Sequence, residues 1–112
     1  MSGHSAPAES RADRSAPRDG LRHALEQVGQ RWALLVVHEL GAAPRRFGDL
    51  QRALGAPTNV LTTRLRELTA AGVVARVPMA HNVLAYSLTD RGRALLPAIT
   101  ALAEWGEAGG RR

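Results

Sequence analysis

RFGDLQRALGAPTNVLTTRLRELTAAGVVAR, residues 46–76, is the stretch whose reading decides the fold. Phe47, Leu50, Ala53 and Leu54 recur at spacings of three and four, which predicts a short helix from about Phe47 to Leu54. Gly55-Ala56-Pro57 interrupts it, because Pro57 forces Ala56 out of the helical region and can itself open a helix. A second helix over about 58–71 follows, with Leu61, Leu65 and Leu68 on one stripe. Gly72 is placed to end it as a left-handed cap, and Val73 to Val77 is a β-branched run. Two helices joined by a tight turn make a helix-turn-helix.

Off the leucine stripe, at about 100° per residue, lie Asn59, Thr62, Thr63 and Arg66. A purely solvated face more often carries Glu and Lys. Short hydrogen-bonding groups with arginine are the chemistry that reads base edges and holds phosphates. An ordinary amphipathic helix with a bland polar face is the competing reading, so charge and context must discriminate.

The 112 residues suit one domain, and 45% hydrophobic content permits a packed core. Net charge is +5, and all fifteen basic residues are arginine. Residues 44–76 hold six arginines against Asp49 and Glu67, a local +4, whereas residues 1–20 and 21–43 are each neutral. The excess therefore sits on the helix-turn-helix, the footprint expected of a nucleic-acid binder. With no cysteine, disulfides, thiolate metal sites and thiol redox switches are excluded. No apolar run approaches the ~18 residues of a membrane span, and the amino terminus lacks a signal-peptide core. A cytoplasmic protein without membrane partners is expected.

Residues 1–20 lack large apolar groups after Met1 and read as a disordered tail. The folded domain is expected over 21–108, with 109–112 a frayed end. A first helix is expected near Asp19 or Gly20, through Leu21, Ala24, Leu25 and Val28. Gly29 interrupts it. WALLVVHEL follows, apolar nearly all round, as a buried central helix ended by Gly41 and Pro44. His38-Glu39 opens HELGA, but Ala42 occupies the fifth place, so the zinc-protease pattern HExxH fails. His23 and His38 lack partners at ligand spacing, so no metal and no cofactor is expected. Val77 to Leu88 contains two apolar runs around turn formers, a hairpin in which Tyr86 and Leu88 alternate with Ala85 and Ser87. A hairpin directly after such a helix is a wing. Thr89 and Asp90 supply a cap and an early acid for the last helix. That helix carries Leu95, Leu96, Ile99, Leu102 and Trp105, with a kink or break expected at Pro97. Trp105 reads as a partner contact, or as packing on the first helix.

VGQRWALLVVHEL (Val28–Leu40), RFGDLQRAL (Arg46–Leu54), VLTTRLRELTAAGVVAR (Val60–Arg76) and YSLTDRGRALLPAITALAEW (Tyr86–Trp105) together resemble the HxlR branch of the MarR-like winged-helix transcriptional regulators. The resemblance covers nearly all of the chain after residue 20. It implies a mainly α fold with a small β-hairpin wing. It also implies a homodimer held by the first and last helices, here through Leu21, Leu25, Leu95, Ile99, Leu102 and Trp105. Each subunit would place one helix in a major groove. Three departures stand out. Pro57 replaces the serine that usually caps the DNA-reading helix, leaving Thr58 as the nearest cap. The cysteine with which many relatives sense oxidants is missing. The wing tip carries His81 and Asn82 in place of a basic residue, which suggests a weak or pH-sensitive contact.

The leading expectation is a dimeric, sequence-specific transcription regulator on double-stranded DNA with a near-palindromic operator. Thr58, Asn59, Thr62 and Thr63 would face bases. Arg46, Arg64, Arg66 and Arg76 would meet phosphates or, for Arg66, a guanine edge, with His81 on the wing. For Arg64 an ion pair with Glu67 or a neighbouring helix competes. A winged-helix dimer that docks on another protein is the alternative, and a small-molecule effector pocket near Trp32, His38 and Tyr86 is a third reading. An enzyme is not expected, since no carboxylate pair, activated nucleophile or phosphate-cradling loop is visible.

Overall fold

The computed structural model describes residues 16–110. Two units divide the chain, one up to Gln30 and one from Arg31 onward. In the first, α1 is helical over residues 16–28. Residues 16–20, expected in the disordered tail, are thus already helical. Pro17 needs no amide hydrogen bond in a first turn, and Asp19 suits the positive end of the helix dipole. The expectation for residues 1–15 lies outside the described residues. Gly29 ends α1, its amide donating to the Leu25 carbonyl oxygen at 2.8 Å.

The second unit comprises α2 (Ala33–Leu40), α3 (Phe47–Leu54), α4 (Thr58–Ala70), β1 (Val74–Pro78), β2 (Leu84–Leu88), α5 (Asp90–Arg93) and α6 (Leu96–Gly110). In α2, Ala33, Val36, Val37 and Leu40 are buried and Leu35 is exposed, so this helix has a solvent side after all. Trp32 precedes it with φ 81°, a backbone state that a bulky side chain rarely adopts. The Arg31 guanidinium lies over its ring, 5.4 Å from the centroid.

The helix-turn-helix follows the breakers in its sequence. Gly55 closes α3 at φ 69°, Ala56 turns inward, and extended Pro57 leads into α4. Leu61, Leu65 and Leu68 of α4 are buried, each contributing about 1.5–3 kcal/mol. α4 ends in a Schellman motif: Val73 donates to the Leu68 carbonyl oxygen at 2.9 Å and Gly72 to that of Thr69 at 3.1 Å. Gly72 adopts φ 76°, where a side chain would be strained.

β1 and β2 pair antiparallel, with Val74 opposite Leu88 and Pro78 opposite Leu84. At the tip, His81 and Asn82 both take positive φ, 63° and 58°. Arg45 pairs with the other edge of β2, exchanging backbone hydrogen bonds of 3.0 and 2.8 Å with Tyr86. The simple alternation expected of β2 fails: Ala85 and Leu88 are buried, whereas Tyr86, paired to Arg45, is only half-buried and lines a cleft beside α4.

Thr89 is the expected cap, its Oγ1 accepting from the Gly92 amide at 3.1 Å. The same hydroxyl donates to the Gly72 carbonyl oxygen at 2.6 Å, tying the start of α5 to the end of α4. The break in the last helix falls at Ala94 and Leu95, which leaves Pro97 in the first turn of α6, where its missing N–H costs nothing. α6 continues to Gly110, so residues 109 and 110 extend the helix instead of fraying, while 111–112 lie outside the described residues.

Candidate nucleic-acid interface

With its leucines turned inward, α4 leaves Thr58, Asn59, Thr62 and Arg66 exposed and Thr63 half-buried on the opposite side. Arg66 makes no hydrogen bond or ion pair with any described residue, and neither does the Asn59 amide. Arg76, exposed on β1, is equally unpaired. It shares with Arg66 a cleft of about 550 Å³ between α4 and the wing, with Phe47, Leu65 and Tyr86 as its apolar part. The two arginines thus line one cleft. Tyr86 borders this cleft without Trp32 or His38, which the effector reading had put beside it.

Each hydroxyl on α4 has a definite partner. Thr62 Oγ1 donates to the Thr58 carbonyl oxygen at 2.8 Å, and Thr63 Oγ1 to that of Asn59 at 3.0 Å. Thr58 is not a cap: Pro57 holds the cap position and no side chain closes the first turn. Instead, Thr58 Oγ1 accepts from Gln51 Nε2 at 2.5 Å, a bond between the two helices of the motif. The sequence gives no sign of Gln51, because the spacing of the pair spans a turn of unknown angle.

Two of the expected arginines are occupied. Arg46 Nε lies 3.4 Å from Asp49 Oδ2, and Arg52 donates to Oδ1 at 2.6 Å. Partial burial raises the Asp49 pKa, but the Arg46 hydrogen bonds, with the charges of Arg46 and Arg52, outweigh it and hold the carboxyl below its ordinary value. Arg46 remains more than half exposed and can still reach outward. Arg64 does not belong on this surface. Its Nε donates to the Arg31 carbonyl oxygen at 2.8 Å, it pairs with Glu67 at 2.9 Å, and only 17% of its side chain is exposed. It sits nearest the leucine stripe, where a neighbouring carbonyl is within reach. His81 stands exposed at the wing tip.

A second surface is apolar. From Thr100 to Gly109 every residue of α6 is exposed, including Leu102 at 50% and Trp105 at 76%. In the first unit, taken by itself, Leu21 and Leu25 of α1 are exposed. Ile99, expected at a subunit interface, is 7% exposed and forms part of the core, and Leu95 is half-buried. The bend before Pro97 turns the first part of α6 onto α2, which takes Ile99 inside.

A helix-turn-helix backed by three leucines and followed by a two-stranded wing defines a winged helix-turn-helix protein. The profile of the HxlR-like helix-turn-helix family matches residues 27–112. An uncharacterised HTH-type transcriptional regulator of Mycobacterium tuberculosis (strain ATCC 25618 / H37Rv) is 43% identical over 91 residues, covering 80% of this chain and 58% of the relative. The chain therefore spans little more than half the length of that protein. Among solved structures, a MarR-family transcriptional regulator from Enterococcus faecalis V583 matches with TM-score 0.72 at 35% identity, covering 84% of this chain and 88% of that one. The redox regulator HypR in its reduced form matches with TM-score 0.72 at 30% identity, over 80% of this chain and 91% of its own. The chain belongs to the HxlR-like helix-turn-helix family, within the MarR-like winged-helix regulators. Fold and relatives are those of transcription regulators and not of enzymes. No helix among the described residues is long and apolar enough to cross a membrane.

Proposed function

We propose that the chain is a homodimeric transcription regulator that lays α4 of each subunit into successive major grooves of a near-palindromic operator. The observation that carries this reading is the outer face of α4. It presents the Asn59 side-chain amide and Arg66 without partners among the described residues, flanked by Thr58, Thr62 and Thr63. Hydrogen-bonding groups left unsatisfied on a convex helix are suited to base edges. Arg76 shares a cleft with Arg66 beside that face, and it and the more than half exposed Arg46 serve phosphates, which carry most of the affinity but little sequence information. Two copies related by a twofold axis would set their helices about one duplex turn, ~34 Å, apart.

The exposed part of α6 supports the dimer in this reading. A ten-residue stretch of exposed helix bearing Leu102 and Trp105 is costly to leave in water, and in this reading a second subunit covers it. Leu21 and Leu25 of α1 are the other apolar groups offered to that subunit. Trp105→Glu should raise the dimer dissociation constant at least about a hundredfold, as loss of a buried aromatic anchor does. Sedimentation velocity would show a monomer at micromolar concentration, with intact helical content by circular dichroism. A variant that stays dimeric would place the subunit contact elsewhere. A protein partner in place of DNA remains the competing function. It would show as no affinity for any duplex, even in dilute buffer.

A further inference from the structure

The hydrogen bonds within α4 constrain which bases it can read. A threonine hydroxyl has one proton and two lone pairs. At Thr62 and Thr63 the proton is spent on the carbonyl oxygens of Thr58 and Asn59. What each side chain can offer a groove is therefore an acceptor and a methyl group. Thr58 is the reverse case: Gln51 Nε2 occupies one of its lone pairs at 2.5 Å, and its proton is free to donate outward. Arg66, with no partner among the described residues, offers donors only.

We propose that α4 is a specificity element of fixed polarity, with Thr62 and Thr63 selecting A·T pairs and Arg66 selecting a G·C pair in each half-site. This rests on the major-groove reading above. An acceptor facing the groove is matched by the adenine N6 or cytosine N4 amino group and repelled by the acceptors of guanine and the O4 of thymine. A methyl group favours contact with the thymine C5-methyl. A·T alone carries both an amino donor and a methyl. Donors on a planar fork fit guanine O6 and N7. Thr58, as an outward donor at the start of the helix, suits a phosphate oxygen or a purine N7.

The test is selection from random duplexes with the full chain, in parallel for wild type and the variants T62V, T63V, T62S and T63S, with total duplex binding measured in each. Valine keeps the shape and the methyl but removes the acceptor, so A·T preference at the corresponding positions should fall about three- to tenfold, the effect of one hydrogen bond. Serine keeps the acceptor but removes the methyl, so C·G pairs should enter there. The proposal is overturned if the positions that respond to these variants are G·C in the wild-type site. It is also overturned if both valine variants select the wild-type site at unchanged frequencies. In either event duplex binding by the wild type leaves the regulator reading intact. Absence of binding to any duplex would defeat that reading itself.

Discussion

Gly92→Ala is expected to lower the melting temperature by roughly 12–24 °C, or to prevent folding. A Cβ built at Gly92 would collide with the backbone carbonyl oxygen of Val73 and press on the Leu88 side chain. That carbonyl cannot withdraw. It accepts from the Thr89 amide at 3.1 Å, and it follows the Schellman cap of α4. Backbone held in this way has to give as a unit, so a cost of about 3 kcal/mol is the expectation for overpacking here. For a domain of this size that corresponds to roughly 12–24 °C. Thermal unfolding followed by circular dichroism measures it. The same geometry explains why threonine and glycine stand three apart in YSLTDRG: one ties α5 to the end of α4, the other lets it approach. A variant that melts within a few degrees of wild type would mean that the end of α4 and the start of α5 can separate freely.

Arg66→Ala is expected to leave the melting temperature unchanged and to weaken operator binding at least tenfold at physiological salt. The side chain is exposed and makes no bond within the described chain, so its removal leaves nothing buried or unpaired. A bidentate arginine–guanine contact is worth ~1–3 kcal/mol of discrimination, and a dimer would lose two. Weakening should therefore be greater on the selected operator than on random duplex. Equal loss on both would reassign Arg66 to a phosphate contact, and unchanged affinity would remove it from the interface. Arg64→Ala should do the opposite, because Arg64 is spent on the Arg31 carbonyl oxygen and Glu67. Its loss should reduce stability and alter DNA affinity only as far as the fold loosens.

Local chemistry made α3, α4 and the wing legible. Gly55, Pro57 and Gly72 are breakers whose conformational demands do not depend on distant residues, and the leucine stripe fixes which side of α4 is core. Thr89 was readable as a cap for the same reason. What escaped the sequence depends on contacts made across the fold. Arg45 is in the sequence one more cation ahead of α3, but its backbone pairs with Tyr86 and its Nε is buried with no hydrogen-bond partner among the described residues. Arg64 shares the composition of a DNA contact and is claimed by a carbonyl on another segment. Ile99 falls on the interface that the family resemblance implies, and only the bend before Pro97 decides that it enters the core. The Gln51–Thr58 bond, which determines the polarity of the first group on α4, requires the angle between two helices.

The account depends most on an outward-facing cationic and hydroxylic helix meeting a charged duplex. The direct measurement is the affinity of the full chain for double-stranded DNA as monovalent salt is raised from about 50 to 200 mM. A dimer that neutralises roughly six phosphates should lose about a thousandfold in affinity over that range, linearly on logarithmic axes. Binding that does not change with salt, or no binding at the lowest salt, would contradict it.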